Sequence, residues 1–385
     1  MTGRRIAARA ARAFAVAAAA AALGGCSMLP FLRSSAEPPK PAELQPNPHL
    51  VGVRQAWTAH IGKVDFPLVV AANGGTATLA SGNGTVLALD AASGRELWRA
   101  SVGGPLAAGV GSDGSTAAVV TRANEVVALA GGKVLWRQRM TALSYTPPLV
   151  AGARVFVLGA DRSVSAFDGA TGRRLWSQQR PGEPLVLRDP GVILAVGDTL
   201  VVGQGGRLAG LNPLNGSVRW EAPIATARGI NDIERLVDLV GRASREGQVV
   251  CARAFQAAVG CVDTARGATL WSHKASGAEG ISGDAERVYG AESDGRVIAW
   301  KRDDGQRAWT TDKLLHRGLG TPLVLGRSVV VGDRFGFVHL LSREDGALLD
   351  RLSTDGSGIA APPVAIGNTL VIVTRNGGVF GYVPQ

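Results

Sequence analysis

The sequence has little of what most catalytic and metal-binding sites require. Its 385 residues include three cysteines and five histidines, and the histidines form no pair at metal-ligand spacing. It contains no His-Glu-x-x-His, no Gly-x-Ser-x-Gly, no phosphate-binding loop and no Cys-x-x-Cys-His haem motif. These absences argue against metallohydrolases, serine hydrolases, nucleotide-binding enzymes and haem proteins. We therefore expect no catalytic residues, no metal and no cofactor.

Charged residues are also scarce, at 19% of the chain. The formal net charge of +10 falls to +6 once the four arginines of the N-terminal stretch are set aside. The remaining charge is scattered, with no basic stripe interleaved with aromatic residues, which argues against nucleic-acid binding. The 52 glycines and the lack of long polar tracts are instead typical of strand-and-turn architectures.

The N-terminal stretch predicts export rather than a membrane span. Arginines precede an alanine-rich apolar run, residues 13–23, that is too short to cross a bilayer. Residues 23–26, Leu-Gly-Gly-Cys, resemble the lipobox of bacterial lipoproteins, in which the cysteine is acylated. That resemblance implies a signal peptide over residues 1–25 and a lipid anchor on Cys26. Ser27 after the cysteine favours the outer membrane.

Two other interpretations of this stretch are open. One is an ordinary signal peptide with an incidental thiol, and the other is twin-arginine export through Arg4 and Arg5. After the signal, residues 26–50 carry six prolines and predict an extended tether. Residues 51–385 are then expected to form one domain.

A period of about forty residues runs through that domain. It is marked by a glycine followed four residues later by a tryptophan, and these tryptophans are Trp98, Trp136, Trp176, Trp220, Trp271 and Trp309. A seventh unit keeps Gly346 but has Asp350 in the tryptophan position. Alternating apolar runs and turn residues in each unit predict the four antiparallel strands of a propeller blade. We expect the tryptophans in the outer strand of each blade, packed against the neighbouring blade.

Joining the two ends of the chain brings the number of units to eight. The last unit ends after three strands, and its fourth strand is available in VGVRQAWTAH, where Trp57 lies 41 residues before Trp98. Pairing the ends leaves no open sheet edge. The predicted fold is all-β: an eight-bladed β-propeller with four antiparallel strands per blade, closed by the N-terminal strand.

The repeat ALDAASGRELW resembles that of the quinoprotein alcohol dehydrogenases, which are larger and add calcium-binding residues and adjacent cysteines not seen here. With the lipobox, the blade count, NDIERLVDL and DKLLHRGLGTPLV (residues 312–324), the whole mature chain resembles the BamB family of propeller lipoproteins. The resemblance implies a non-catalytic scaffold on the periplasmic side of the outer membrane that supports insertion of β-barrel proteins. The implied partners are the POTRA domains of BamA, other BAM subunits and nascent outer-membrane proteins.

Two stretches match motifs through which that family contacts BamA. The motif Leu-x-Leu-Arg matches Leu185, Leu187 and Arg188. The motif Arg-Leu-x-Asp-Val-Asp matches Arg235, Leu236 and Asp238. The second match departs at Val240, where the family has an acid, and this puts a charge-driven contact there in doubt.

The positions of the two stretches support a functional interpretation. They fall in the two longest intervals between tryptophans, 44 and 51 residues, in adjacent blades. Loops that interrupt a repeat carry function while the repeat carries stability. Residues 229–239 read as an inter-blade insert with a short amphipathic helix. The alternative is that Leu185 and Leu187 are inward residues of a strand and Arg188 is simply solvated.

The remaining cysteines predict a disulfide. A hairpin with its tip at residues 255–257 places Cys251 opposite Cys261, and an oxidising periplasm favours the bridge. A redox-active dithiol is the alternative. For the whole protein, two other functions stay open: a periplasmic quinone- or sugar-dependent oxidoreductase, and a polysaccharide- or cell-wall-binding lipoprotein.

Overall fold

The computed structural model describes residues 39–180, 186–227 and 236–385. Every regular element in these ranges is a β-strand, and no helix there is long and apolar enough to span a membrane. The strands form eight sheets of four hydrogen-bonded neighbours each. The predicted eight-bladed propeller is therefore confirmed.

The first four blades are each built from four consecutive strands. Blade 1 contains β2 (Ala71–Asn73), β3 (Thr76–Ala80), β4 (Thr85–Asp90) and β5 (Glu96–Ser101). Blade 2 contains β6 (Gly111–Ser112), β7 (Thr116–Val120), β8 (Glu125–Ala130) and β9 (Lys133–Arg139). Blade 3 contains β10 (Leu149–Ala151), β11 (Arg154–Leu158), β12 (Val164–Asp168) and β13 (Arg174–Gln178). Blade 4 contains β14 (Ile193–Val196), β15 (Thr199–Gln204), β16 (Arg207–Leu211) and β17 (Val218–Pro223).

Three further blades follow the same order, and the eighth joins the chain ends. Blade 5 contains β18 (Leu239–Glu246), β19 (Val249–Ala254), β20 (Ala258–Asp263) and β21 (Ala268–Lys274). Blade 6 contains β22 (Ile281–Gly283), β23 (Arg287–Ala291), β24 (Val297–Lys301) and β25 (Arg307–Thr311). Blade 7 contains β26 (Leu323–Leu325), β27 (Ser328–Gly332), β28 (Phe337–Ser342) and β29 (Leu348–Ser353). Blade 8 contains β30 (Val364–Ile366), β31 (Thr369–Val373), β32 (Gly378–Pro384) and β1 (Val53–His60).

Blade 8 closes the ring as predicted. Strand β1 pairs antiparallel with β32, from Val53 opposite Pro384 to His60 opposite Gly378. The first strand of the domain thus supplies the outer strand of the last blade. Because β1 covers the outer edge of β32, the third strand of blade 8 has no unpaired edge.

Because consecutive strands of a blade run antiparallel, the loops lie on two opposite faces of the propeller. One face, called here the connector face, carries the loops that lead from the outer strand of one blade to the inner strand of the next. The hairpins between second and third strands lie on the same face, because consecutive strands reverse direction. The remaining hairpins lie on the opposite face, called here the hairpin face.

The motif tryptophans join neighbouring blades, as predicted. The six motif tryptophans and Trp57 each lie in an outer strand, and each ring lies against the motif glycine of the next blade. At Gly172, where φ is +73°, an added Cβ would lie 2.5 Å from Cδ2 of Trp136. Trp136 also donates from Nε1 to the Gly169 carbonyl at 2.8 Å. The glycine therefore serves both the turn and the contact between blades.

The hydrophobic core is divided among the gaps between blades. Between blades 2 and 3, Ala128 and Trp136 of one sheet pack on Val155 and Phe167 of the next. The ring centroids of Trp136 and Phe167 are 5.9 Å apart. Alternation along each strand sends apolar side chains to both faces of a blade, so each sheet is covered on both sides.

Candidate partner-binding site

The two predicted contact stretches lie in neighbouring loops on the connector face. Leu187 and Arg188 are in the loop between β13 and β14, and Leu236 and Asp238 are in the loop between β17 and β18. Leu187 is not part of a strand, so the alternative that made it an inward strand residue does not apply. The positions of Cys26, Leu185, Arg235 and residues 229–235 of the insert lie outside the described residues.

Asp238 connects loops of three blades. One carboxylate oxygen accepts a hydrogen bond from the Leu187 amide at 3.2 Å. The other oxygen lies 3.3 Å from the guanidinium of Arg162, in the hairpin of blade 3, and both side chains are largely buried at 16% and 14% exposure. The Asp238 carbonyl accepts from the Phe255 amide of blade 5 at 3.0 Å. Asp238 therefore positions the site, and its charge is already paired within the chain.

Arg188 presents a positive charge to solvent on this surface, next to the exposed carboxyl of Asp189. Its side chain is exposed, and its guanidinium lies 5.5 Å from the ring centroid of Tyr145. Tyr145 lies in the connector between β9 and β10, one blade earlier in the chain. A cation over an aromatic face is attracted by the ring and held in one orientation. The guanidinium of Arg188 is thus placed over the Tyr145 ring and remains open to solvent.

Leucines beside these charged groups make the site partly apolar. Leu187 and Leu236 are both half-buried. Leu236 also lines an open groove of about 1100 Å³ with Ile224, Val237 and Phe255. Half-buried leucines next to an exposed arginine are typical of protein-binding surfaces, where an apolar centre is surrounded by polar groups.

Val240, where the family pattern has an acid, lies inside the protein. It is 2% exposed, and its backbone forms a β-bridge with Gly191. It belongs to β18, the inner strand of blade 5, so the chain has re-entered the repeat by this position as predicted. The departure from the family pattern therefore changes a buried residue and leaves the exposed charges of the site as they are.

A central channel opens on the same face. A cavity of about 380 Å³ there is lined by charged residues of both signs, namely Asp65, Asp189, Arg242, Glu279, Arg334 and Arg375. Asp189 and Glu279 keep exposed surface in the cavity, but its walls partly enclose them, which raises the pKa of both carboxyls, and at Glu279 the nearby Asp189 raises it further. Because three acids and three bases line the opening, the channel carries no field of a single sign.

Arg162 and Tyr145 were not found by the sequence analysis. Both lie in loops that every blade possesses, and neither belongs to a motif. Their role depends on the loops of adjacent blades meeting on one face, which no local pattern records. Among the described residues no group of three or more His, Cys, Asp or Glu could hold a metal ion.

The predicted disulfide is present. Cys251 of β19 pairs directly with Cys261 of β20, and the two sulfurs are bonded. Both residues are fully buried, which agrees with a structural bridge rather than an accessible dithiol. Arg302, at the end of β24, donates to the Cys251 sulfur at 3.2 Å and so links blade 6 to the bridge in blade 5.

Comparison with known proteins agrees with this architecture. The model of the family "Outer membrane protein assembly factor BamB" matches residues 82–311. The chain belongs to the BamB family. BamB of Burkholderia pseudomallei is 38% identical over 340 residues, covering 87% of this chain and 89% of that protein. BamB of Bordetella pertussis is 39% identical over 362 residues, covering 92% of each.

A solved BamB structure has the same fold. The crystal structure of BamB from Moraxella catarrhalis superposes with a TM-score of 0.78 and 24% identity, covering 86% of this chain and 99% of that one. The resemblance inferred from the repeat and the lipobox is thus confirmed at the level of the family. The BamB relatives are named as assembly factors, in agreement with the prediction of a non-catalytic protein.

Proposed function

We propose that this protein is a non-catalytic scaffold lipoprotein of the outer-membrane protein assembly machinery. It binds the periplasmic POTRA domains of BamA through the connector face of blades 3 to 5 and supports the folding and insertion of β-barrel proteins. Membership of the BamB family supports this role. The oxidised, buried Cys251–Cys261 pair fits an exported protein.

The observation that carries the proposal is the contact between Asp238 and the Leu187 amide. It joins two stretches that are 51 residues apart in sequence into one surface. In this surface Leu187 and Leu236 supply apolar contact, Arg188 supplies the exposed charge, and Asp238 fixes their relative position. Leu185 and Arg235 belong to the same two stretches and are proposed as contacts with them.

Acylation of Cys26 holds the protein at the outer membrane in this proposal. The lipobox at residues 23–26 supports acylation, and more than one acyl chain gives stable anchoring where a single chain does not. The domain boundaries proposed are a signal peptide over residues 1–25, an anchored tether from residue 26 and the propeller after it.

A pull-down with the periplasmic domains of the cognate BamA tests the proposal. Wild-type protein is expected to bind, and Arg188→Glu is expected to weaken binding about tenfold or more, because it reverses the exposed charge at the centre of the site. Arg266→Glu is the matched control, since Arg266 is exposed and lies in a turn on the hairpin face. All three proteins should melt at the same temperature.

Absence of wild-type binding would remove the proposed function. Equal loss in both variants would show a general charge effect rather than a site. Unchanged binding of Arg188→Glu would remove Arg188 from the site while leaving the scaffold role in place.

A further inference from the structure

Residues 42–50, called here the N-terminal strap, lie along the outer strand of blade 7. At one end of the strap, the Ala42 amide donates to the Leu315 carbonyl at 2.9 Å. At the other end, the Leu50 amide donates to the Leu349 carbonyl at 2.8 Å. Both ends of the strap are therefore bonded to the propeller by their backbone.

The middle of the strap is held by side chains. Asn47 donates from Nδ2 to the Asp350 carboxylate at 2.8 Å and to the Arg351 carbonyl at 3.0 Å. Arg351 in turn donates from its guanidinium to the Gln45 carbonyl at 2.9 Å. His49 lies 3.2 Å from the same Asp350 carboxylate. The side chain of Asn47 thus makes two of the contacts that hold the middle of the strap to blade 7.

The strap explains why blade 7 has no motif tryptophan. In the other blades that tryptophan packs on a turn between the third and fourth strands of the next blade. In blade 8 these strands are β32 and β1, the two ends of the propeller chain, and no turn joins them. Asp350 takes the tryptophan position, is only 3% exposed, and receives the strap in place of a glycine turn.

Arg317 connects the strap to the core of blade 7. Its guanidinium donates to the Ala42 carbonyl at 3.1 Å and to the Asp333 carboxylate at 2.7 Å. The same carboxylate oxygen lies 3.1 Å from Nε2 of His339, and both Asp333 and His339 are buried. The Arg317 guanidinium also stacks on the ring of Phe335 at 4.9 Å. A buried and fully oriented arginine is a rigid anchor for the end of the strap.

We propose that blade 7 is the docking site of the membrane tether and that the Leu-Leu-His-Arg stretch, residues 314–317, is its anchor point. This inference gives a role to a motif that the partner-binding site does not use. The docking role stands on the contacts described above. Its effect on the membrane tether rests on the proposed acylation of Cys26.

Docking shortens the length of chain between Cys26 and the propeller. With the strap bound, this length is the 16 residues from Cys26 to Pro41, which can span at most about 55 Å. With the strap released, it would reach to Val53 and span at most about 90 Å. The strap begins at Ala42 beside Leu315, in the connector between β25 and β26, and so on the face that carries the candidate partner-binding site.

Hydrogen exchange of the mature full-length protein tests the dock. The Ala42 and Leu50 amides are expected to be protected, and Asn47→Ala should speed their exchange about ten- to a hundredfold, as loss of a hydrogen bond to a charged group implies. Asn215→Ala is the matched control, because Asn215 also bonds through its side chain but only within a turn of blade 4. The strands of blade 7 should keep their protection in both variants.

Two results would overturn the dock: free exchange of residues 42–50 in the wild-type protein, or equal exchange in Asn47→Ala and wild type. Because this readout does not involve lipid or BamA, it decides the dock separately from the proposed function.

Energy transfer on vesicles tests the effect on the tether. The acylated protein, labelled at Thr141→Cys on the connector face, is placed on phosphatidylethanolamine–phosphatidylglycerol vesicles that contain an acceptor lipid. Release of the strap by Asn47→Ala with Arg351→Ala is expected to lower the transfer efficiency, because the propeller moves further from the bilayer. Unchanged efficiency with lost amide protection would refute the tether-length effect. If mass spectrometry of the exported protein shows no acyl chain, the lipid anchor of the proposed function is contradicted, whereas the docking of the strap on blade 7 is not.

Discussion

The carboxylate of Asp238 accepts a hydrogen bond from the Leu187 amide, 3.2 Å away in the loop of the preceding blade. Asp238 is held on its other side by Arg162, so a single side chain fixes the geometry of two connectors. An acid that looks like a partner contact in sequence is therefore a positioning residue. The exposed charge that it positions is that of Arg188.

Asp238→Asn should loosen this arrangement. We expect the free energy of unfolding to fall by about 1–2 kcal/mol, because the largely buried guanidinium of Arg162 loses the negative charge that lies 3.3 Å from it. Urea unfolding measures the change. Asp312→Asn, an exposed aspartate in the connector between β25 and β26, is the control and should change stability by less than about 0.5 kcal/mol. Equal effects of the two substitutions would contradict the positioning role.

Gly172→Ala should cost more than Gly152→Ala. Both glycines of blade 3 have positive φ, +73° and +57°, so both substitutions strain the backbone alike. Only at Gly172 would the new Cβ meet the Trp136 ring, whereas nothing lies within 4 Å at Gly152. Overpacking of that contact adds about 1–3 kcal/mol to the loss. Denaturant unfolding of the two variants tests this, and similar losses would argue against the inter-blade role of the motif glycine.

The free energy of unfolding should fall as the pH drops through the range in which an ordinary histidine becomes protonated. Burial lowers the pKa of His339, against the opposing effect of Asp333 and with Arg317 and Arg351 nearby. The folded protein therefore keeps His339 neutral where the unfolded chain, with an ordinary pKa of about 6.5, takes up a proton. As the pH falls from 7.5 to 5.5, uptake of this proton by the unfolded chain should therefore lower the free energy of unfolding.

His339→Gln isolates that contribution, since glutamine has no proton to take up and can still donate to Asp333. The difference in pH dependence between wild type and His339→Gln gives the effect of the histidine alone. An identical pH dependence in the two proteins would show that His339 does not titrate as described.

The Cys251–Cys261 bridge should be fully formed in exported protein. Thiol titration of the denatured chain is expected to find no free thiol at these two positions. Replacement of both cysteines by serine should lower the free energy of unfolding by about 2–3 kcal/mol, since the bridge closes a short loop of sequence separation 10. Two reactive thiols in the exported protein would contradict the bridge.

The repeat made the fold predictable from sequence because its signals are local. A glycine turn and a tryptophan four residues later mark each blade, and the unit that lacks a strand identifies the strand that completes it. The reason for Asp350 could not be found in this way. No turn joins β32 and β1, because they are the two ends of the propeller chain, and the strap bonds to Asp350 where the other blades have a turn. Neither fact is visible until the ring is closed.

The site was predictable only in part for a related reason. The sequence placed Leu187, Arg188 and Asp238 in adjacent inter-blade loops, and the structure brings them together. Which groups bond to one another depends on the rotation between blades, so the pairing of Asp238 with Arg162 and the stacking of Arg188 on Tyr145 left no trace in the sequence. The inward position of Val240 likewise depends on where β18 begins.

Site-specific photo-crosslinking in cells shows which face of the propeller contacts BamA. A benzophenone amino acid at position 188 places the reactive group at the centre of the proposed site, and the same amino acid at position 266 places it on the hairpin face. Binding through the connector face should give a crosslinked product with BamA from position 188 and none from position 266. Crosslinking from position 266 alone, or from neither position, would contradict binding through the connector face.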